Sequence, residues 1–289
     1  MMNRTFPEIP AERSEDLHNL DLADRAELVL FMAGNQFMVM PELISAFQKE
    51  YPDVKNIYYE TLPPGLELKQ ILAGGAVFRG KPITVFPDIY SAVKIEAMQT
   101  LEEHNFIGTE DYFPYLHNRL TLMVPPGNPA QIESVTDLGG KNVRISQPDP
   151  ANEDIAFHII NMYRQAGGEA LVKRIMHEKA AAGTTILTTV HHRETPLGIR
   201  EKSVDVGPVW ATEAVYAKES GLDFEVVEPG RDLDQRDRIN YYICRLKNTA
   251  HPKNAEKFLN FIKSKPAQEI YAQHGFVPVQ DEPIPTARR

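Results

Sequence analysis

The sequence predicts an α/β protein of two domains, whose sheets are mixed but mostly parallel and are flanked by helices. Two observations lead to this prediction. Short apolar strands alternate with amphipathic helices over almost the whole chain, and this order is typical of βα units. The length of 289 residues suffices for roughly two domains of ordinary size, each with its own core.

The first half of the chain predicts strands and helices in alternation. Apolar residues at Met40, Leu43 and Phe47 follow helical spacing. The pair Tyr51-Pro52 ends that helix, because the residue before a proline avoids helical dihedrals. The predicted strands cover residues 27–33, 55–61, 82–86 and 119–124, and the predicted helices cover residues 40–51, 66–72 and 91–104.

The second half continues the pattern after a proline-rich and glycine-rich break at residues 125–129. Asn152 can cap a helix that Gly167-Gly168 is expected to stop. Pro252 lies in the first turn of the last predicted helix. The predicted strands cover residues 141–145, 185–190, 204–209, 223–227 and 239–246, and the helices cover 152–166, 196–202, 212–219 and a segment from 252 onward.

Composition and charge exclude several functions. The formal net charge of −9 repels phosphate backbones, so we expect no nucleic-acid partner. No apolar run approaches the ~20 residues that span a bilayer. Cys244 is the single cysteine, which excludes an internal disulfide and a thiolate metal cluster. Its apolar surroundings predict a buried, inert thiol.

The two ends of the chain are predicted to lie outside the domains. Residues 1–26 form a polar N-terminal extension, which lacks the basic start and apolar stretch of a secretory signal. Either a signal has been removed or the protein stays in the cytoplasm, and both interpretations remain open. Residues 281–289 are predicted to be a disordered tail.

In open α/β sheets, the loops at the carboxyl ends of strands bind ligands. The sequence contains no nucleophile elbow, no GxGxxG after the first strand, no phosphate-binding P-loop and no HExxH. The absence of these motifs is weak evidence against an enzyme, and we expect no cofactor. The predicted loops at strand ends are residues 34–36, 61–65, 88–91, 146–152, 191–195 and 210–212.

Several loop residues are candidates for contact with a ligand. Side-chain amides and the free N–H groups of a helix start can bind an oxyanion without formal charge, although ordinary helix capping explains the same residues. Tyr90 and Trp210 can each form a wall of a ligand site or pack in the core. The candidates of this kind are Asn35, Gln36, Thr61, Pro64, Gly65, Tyr90, Asn152, Glu153 and Trp210.

The most unusual cluster is His191-His192-Arg193-Glu194. Its histidine and arginine donors suit an anion, so His192, Arg193 and Glu194 are predicted ligand contacts. Two other interpretations remain open: a metal site formed by the histidines, and an exposed polar loop without a ligand. Adjacent residues of an extended segment point in opposite directions, which weakens the metal interpretation.

A family resemblance covers about residues 27–280. The stretches YYICRLK at 241–247, HPKNAEKFLNFI at 251–262 and HGFVP at 274–278 resemble the end of type II periplasmic binding proteins, in particular the molybdate-binding branch that serves ABC importers. VDVGPVWATE at 204–213 and LTLMVPPGNP at 120–129 resemble two further segments of that branch.

The resemblance implies a two-lobed fold and a transport function. Lobe 1 would comprise residues 27–118 and 241–280, and lobe 2 residues 119–240, with chain crossings near 118–124 and 239–246. The lobes would close on the ligand by a hinge motion. A monomer in the periplasm, with a membrane permease as its partner, is the expected state. A ligand-sensing regulatory module of the same fold is the alternative, and a catalytic or metal-binding relative is a further one.

The loops that would hold molybdate depart from that family. Asn35-Gln36 stands where the family has alanine and serine, Pro63-Pro64-Gly65 where it has serine and glycine, and Trp210 where it has a tyrosine. Tryptophan donates one N–H and accepts nothing, whereas tyrosine does both. These differences predict a different small anion, either another oxyanion or a small carboxylate.

Overall fold

The computed structural model describes residues 5–109, 111–151, 153, 155–188 and 194–279. The predicted tail therefore lies outside the described residues. The strands are β1 (Glu8–Ile9), β2 (Leu17–His18), β3 (Leu28–Phe31), β4 (Ile57–Glu60), β5 (Ala76–Phe78), β6 (Lys81–Ile83), β7 (Ile89–Ala92), β8 (Tyr112–His117), β9 (Leu120–Val124), β10 (Ile145–Gln147), β11 (Thr185–Leu187), β12 (Gly207–Trp210), β13 (Glu225–Val227), β14 (Asn240–Arg245) and β15 (Val277–Pro278). The helices are α1 (Met40–Glu50), α2 (Pro64–Ala73), α3 (Ile95–Glu103), α4 (Ile155–Lys173), α5 (Glu194–Arg200), α6 (Ala211–Glu219), α7 (Pro252–Ile262) and α8 (Lys265–Gln273).

The described chain divides into two compact units. Unit 1 takes the residues up to Leu116, then Asn240–Gln273 and the residues from Pro278. Unit 2 takes His117–Ile239 and His274–Val277. The chain thus passes between units at 116/117 and 239/240, and a short return to unit 2 follows α8.

Unit 1 is built on a seven-stranded sheet with the order β15-β8-β14-β7-β3-β4-β2. Its central strands β7, β3 and β4 are parallel, whereas β14 and β2 pair with their neighbours antiparallel. The residues of β3, β4 and β7 are buried on both faces of the sheet, as expected for the interior of an α/β sheet. A smaller sheet has the order β1-β5-β6.

Helices α1 and α7 of unit 1 pack through aromatic side chains. The apolar face of α7 buries Ala255, Phe258 and Phe261. The ring of Phe47 in α1 meets Phe258 and Phe261 edge-on, with centroid distances of 5.3 and 5.5 Å. Edge-to-face pairs of this kind contribute about 0.5–1.5 kcal/mol beyond burial. The apolar spacing that predicts α7 thus corresponds to its buried face.

Unit 2 contains two separate ladders. Strands β12, β9 and β13 pair antiparallel, and β10 pairs parallel with β11. A parallel bridge between Ile145 and Val206 leads from β10 to the segment before β12. These pairings bring the ends of β10 and β12 close together.

The third strand of the central sheet differs from the prediction. Residues 82–86 were expected to form it, but β6 belongs to a hairpin with β5, and β7 takes the central position instead. Pro82 cannot donate a ladder hydrogen bond, which restricts it to such an edge strand. The predicted loop at residues 88–91 is therefore largely strand.

The glycine pair Gly167-Gly168 interrupts α4 at the predicted place, because both residues leave the helical region and a second helical stretch follows them. Gly168 adopts φ 66° and ψ −170°, a region open essentially to glycine alone. A π-helical segment, Arg174–Lys179, continues after α4. Strand β8 and helix α8 were not predicted, because Tyr112–His117 lacks clear alternation and α8 is short and polar.

In the part of the chain that the structure describes, no helix is both long and apolar enough to cross a bilayer. Cys244 lies buried in β14. Burial raises the pKa of its thiol, which makes the thiolate scarce and the side chain unreactive.

Candidate functional site

The first two predicted loops meet at the carboxyl ends of β3 and β4 in unit 1. Residues Gly34–Gln36 form a short 3-10 helix after β3. A Cβ atom at Gly34 would lie 2.9 Å from the carbonyl oxygen of Thr61 and 3.0 Å from that of Leu62. Only glycine permits this approach, so the sequence brings the two loops into direct backbone contact.

Gln36 anchors the first loop to the interior of unit 1. Its Oε1 accepts hydrogen bonds from Tyr115 Oη (3.0 Å) and Tyr271 Oη (2.9 Å). Its Nε2 donates to Ser91 Oγ over 3.3 Å, and this hydroxyl is also hydrogen bonded to Tyr115. Gln36 is fully buried, so the predicted ligand contact is an internal anchor in this structure.

Asn35 is also engaged within unit 1. Its side-chain amide donates to the hydroxyl of Tyr241, and the residue is half-buried. Its Oδ1 atom is buried without a hydrogen-bond partner. The side chain is thus oriented by β14, and its amide oxygen is left as an acceptor.

Thr61 is buried and is held from two directions. Its backbone N–H donates to the carbonyl oxygen of Asp16 over 2.9 Å. Its hydroxyl and His18 Nε2 are hydrogen bonded at 3.2 Å. The predicted ligand contact therefore has both of its donor groups engaged by residues of the N-terminal extension.

Pro64 and Gly65 form the first turn of α2. Pro64 has no N–H to leave unsatisfied, which suits the first helical position. The N–H groups of Leu66 and Glu67 both donate to Pro63 O, at 2.8 and 3.2 Å. A Cβ at Gly65 would meet no atom within 4 Å. The backbone N–H of Gly65 thus lies in a helix turn without an intrahelical acceptor and with open space beside it.

Tyr90 lies in the central strand β7 with no exposed surface. Its hydroxyl donates to Pro64 O over 2.8 Å. Tyr90 was predicted to line the ligand site. It holds the start of α2 through this hydrogen bond instead, and its burial is that of a strand buried on both faces.

Two buried carboxyl groups lie beside the second loop. Glu60 Oε1 accepts from Tyr58 Oη (2.6 Å) and Gln70 Nε2 (3.0 Å), and Glu67 Oε1 accepts the N–H of Leu62 (3.2 Å). Burial raises the pKa of Glu60 to about 7. Burial, together with the charges of Glu60 and Asp16, raises the pKa of Glu67 well above its usual range.

In unit 2, the ends of β10, α5 and β12 converge on a pair of hydroxyl groups. Ser146 Oγ and Thr195 Oγ1 are hydrogen bonded at 2.8 Å. A Cβ at Gly207 would lie 2.2 Å from Thr195 Cγ2, so this position also requires glycine. Two of the predicted loops, 146–152 and 191–195, therefore meet at these residues.

The other described contacts that were predicted in unit 2 have partners of their own. Glu153 is buried and accepts a hydrogen bond from the Thr188 hydroxyl. Glu194 begins α5 and is half-buried. Trp210 is 5% exposed, and its ring lies 5.8 Å from that of His158. Asn152, His192 and Arg193 lie outside the described residues, as does His191.

The residues that hold these loops carry no signal in the local sequence. Tyr115, Tyr241 and Tyr271 belong to β8, β14 and α8 and reach the first loop from far along the chain. No local pattern could assign them. A buried tyrosine normally finds a hydrogen-bond partner, but the partner is determined by the sheet order.

The described residues do not favour a metal site. Apart from the gaps at 110, 152, 154 and 189–193, residues 5–279 contain no group of three or more His, Cys, Asp and Glu side chains placed to hold a metal ion.

A cavity of about 390 Å³ in unit 1 lies away from the loops, and its lining includes Asp24, Phe78, Arg79 and Lys81.

Two α/β units that carry polar loops at strand ends agree with the fold that the family resemblance implies. The family described as bacterial extracellular solute-binding protein matches residues 28–277. The chain belongs to this family. Its function is therefore that of a solute-binding protein of an ABC transporter, and it is not an enzyme. The partners of such a protein are a small solute and a membrane permease.

Individual relatives agree with this assignment. A Bacillus subtilis (strain 168) protein named as an ABC transporter substrate-binding lipoprotein, YvgL, is 21% identical over 263 residues, which cover 91% of each chain. Its name and the family description both indicate a location outside the cytoplasm.

Solved structures share the fold at low identity. The substrate-binding domain assigned to a molybdenum ABC transporter of Clostridium difficile has a TM-score of 0.67 at 17% identity, covering 88% of this chain and 99% of that one. The Mycobacterium tuberculosis H37Rv sulfate-binding protein SubI has a TM-score of 0.65 at 20% identity, covering 87% and 86%. Iron-bound HitA of Pseudomonas aeruginosa has a TM-score of 0.63 at 16% identity, covering 89% of each chain. At these identities the likeness concerns the fold alone.

Proposed function

We propose that this chain captures a small anion, either an oxyanion of the molybdate type or a small carboxylate, for an ABC importer. The observation that carries the proposal is the junction of the two loops in unit 1. There Gly34 lies against the backbone of Thr61 and Leu62, and α2 begins at Pro64. A helix start presents free N–H groups and the positive end of its dipole.

Backbone groups are the donors that this junction offers. The polar side chains of Asn35, Gln36 and Thr61 are engaged within unit 1. Residues 34–36 and 61–65 contain no lysine or arginine. We infer that binding here relies on N–H dipoles such as that of Gly65, which suits a compact anion in a site of low net charge.

The hydroxyl pair in unit 2 offers donors of the same neutral kind. One hydroxyl of the Ser146–Thr195 pair donates to the other, which leaves the second hydroxyl hydrogen to turn toward an oxyanion. The predicted contacts Asn152, His192 and Arg193 remain part of this proposal. The names of the molybdenum and sulfate relatives support an oxyanion, whereas the iron-bound relative points to a different ligand.

A thermal-shift screen tests the proposal. The probes are molybdate, tungstate, sulfate, phosphate and small carboxylates, with ferric citrate as a separate arm. A ligand at 100 times its Kd stabilises the native state by about 2.7 kcal/mol, which corresponds to an increase in Tm of roughly 5 °C for a chain of this size. The absence of a shift with every anion, or a shift with iron alone, would contradict it.

Gly65→Glu provides a matched variant. The new side chain enters open space, and an acidic residue near a helix start favours the helix. We expect an unchanged Tm without ligand and loss of the anion-dependent shift, because the carboxylate repels an anion at the same place. Gly65→Gln is the neutral control and should retain more of the shift. An equal anion-dependent increase in Tm in wild type and Gly65→Glu would show that the start of α2 does not contact the anion.

A further inference from the structure

The residues that precede the family-matched part of the chain are folded onto unit 1. We call residues 8–25 the N-terminal segment. Its strand β1 pairs with β5, and its strand β2 pairs with β4 in the register Leu17↔Glu60 and His18↔Tyr59. Strand β2 thus covers the edge of β4, which otherwise would end the large sheet.

The N-terminal segment binds the polar groups of Thr61. Asp16 O accepts the Thr61 N–H, and His18 Nε2 lies 3.2 Å from its hydroxyl oxygen. The His18 ring stacks on Tyr59 with centroids 4.1 Å apart and an interplanar angle of 8°. The stacking fixes the orientation of the His18 ring, so its Nε2 atom is held in place for the hydrogen bond with the Thr61 hydroxyl.

The next loop residue is held by packing. Leu62 belongs to an apolar cluster that includes Ile9 and Leu17 of the N-terminal segment, and its exposed fraction is zero. From the opposite direction, Glu67 of α2 accepts the Leu62 N–H. Thr61 and Leu62 are therefore fixed between the N-terminal segment and the first turn of α2.

We infer that the N-terminal segment is a positioning element of the anion site, with His18 as its key positioning residue. By fixing Thr61 and Leu62, it sets the place and direction of the Gly65 N–H at the start of α2. Preorganised donors bind more tightly, because their ordering is complete before the ligand arrives. This inference rests on the proposed function for the ligand and on the observed contacts for the loop.

The test compares His18→Leu, His18→Gln and a stability control, Met98→Ala. Glutamine can place an amide nitrogen near the position of the histidine Nε2, whereas leucine keeps bulk and removes the hydrogen bond. Met98 is fully buried in α3 and belongs to a different apolar cluster from Leu62. The control therefore lowers Tm and leaves in place the hydrogen bonds of Thr61 and the apolar cluster of Leu62.

Two measurements are made on the full chain. Hydrogen exchange of peptides that cover residues 61–68 is followed without ligand. Affinity is measured calorimetrically for the anion that gives the largest thermal shift among molybdate, tungstate, sulfate, phosphate and small carboxylates. With His18→Leu we expect exchange to accelerate and affinity to fall, each about three- to tenfold, the range for loss of one hydrogen bond. His18→Gln should recover much of both, and Met98→Ala should change neither.

Hydrogen exchange and anion affinity together decide whether the N-terminal segment positions the anion site. Unchanged exchange at 61–68 in His18→Leu, or an equal acceleration in Met98→Ala, would overturn the positioning role. Accelerated exchange in His18→Leu with unchanged anion affinity would show that the N-terminal segment fixes the loop but does not affect the anion site, and would overturn the inference as well. If wild type binds none of the anions, the proposed function fails and the link to the ligand falls with it. The exchange result then still decides whether the segment fixes the loop.

Discussion

At the scale of single residues, the most consequential groups are Glu60 and Glu67. Both are fully buried in unit 1, and one oxygen of each carboxyl group has no hydrogen-bond partner. Buried carboxylates without a cationic partner are costly, and these two also repel each other. The folded protein therefore favours their protonated forms.

This predicts a specific dependence of stability on pH. The pKa of Glu60 is raised from 4.5 to about 7 in the folded protein, so the folded state binds more protons than the unfolded state between these values. The contribution of Glu60 to stability is complete below pH 4.5, is lost as the pH rises toward 7, and stays absent above it. We expect the loss to reach about 1–3 kcal/mol, and Glu60→Gln to flatten the profile.

Urea denaturation between pH 5 and pH 8 measures this profile. Glu103→Gln, at an exposed position of α3, is the control and should follow wild type. Parallel profiles for wild type and Glu60→Gln would show that Glu60 ionises without cost and would disprove the prediction.

At the scale of elements, local patterns in the sequence predict helices well and long-range pairing poorly. The apolar spacing in 40–51 and the turn prolines at 52 and 252 placed α1 and α7 almost to the residue. Strand β7 was mistaken for a loop, because IYSA has no alternation that distinguishes a fully buried strand. The loops at the ends of β3 and β4 followed from the βα order, whereas the tyrosines that hold them did not.

The anchoring of the first loop gives a prediction at this scale. Gln36 joins β7, β8 and α8 through Ser91, Tyr115 and Tyr271. Gln36→Ala removes the acceptor that Tyr115 and Tyr271 share, while Tyr115 keeps its hydrogen bond with Ser91, so the free energy of unfolding should fall by about 1–3 kcal/mol. Tyr271→Phe removes only one partner and should cost about 1 kcal/mol. Equal losses in the two variants, measured by urea denaturation, would show that Gln36 does not join these elements.

At the scale of the whole molecule, two sources of negative charge oppose an anionic ligand. The net charge of −9 acts over the surface and is screened by salt, with a Debye length of about 8 Å at physiological ionic strength. The buried pair of Glu60 and Glu67 is screened far less, because it lies inside unit 1 beside the second loop. Salt therefore separates the two contributions.

Anion binding should be coupled to proton uptake through this buried pair. As the pH rises from 5.5 to 8, Glu60 ionises, and the affinity for the anion should fall about three- to tenfold at 0.15 M salt, since one pKa unit corresponds to about 1.4 kcal/mol. By reciprocity the bound anion raises the proton affinity of the pair. Calorimetry at pH 7 in two buffers of different ionisation enthalpy measures the protons taken up. Glu60→Gln should abolish most of this uptake while Glu103→Gln retains it. An uptake that persists in Glu60→Gln, or one that disappears at high salt, would assign the coupling to the surface charge instead.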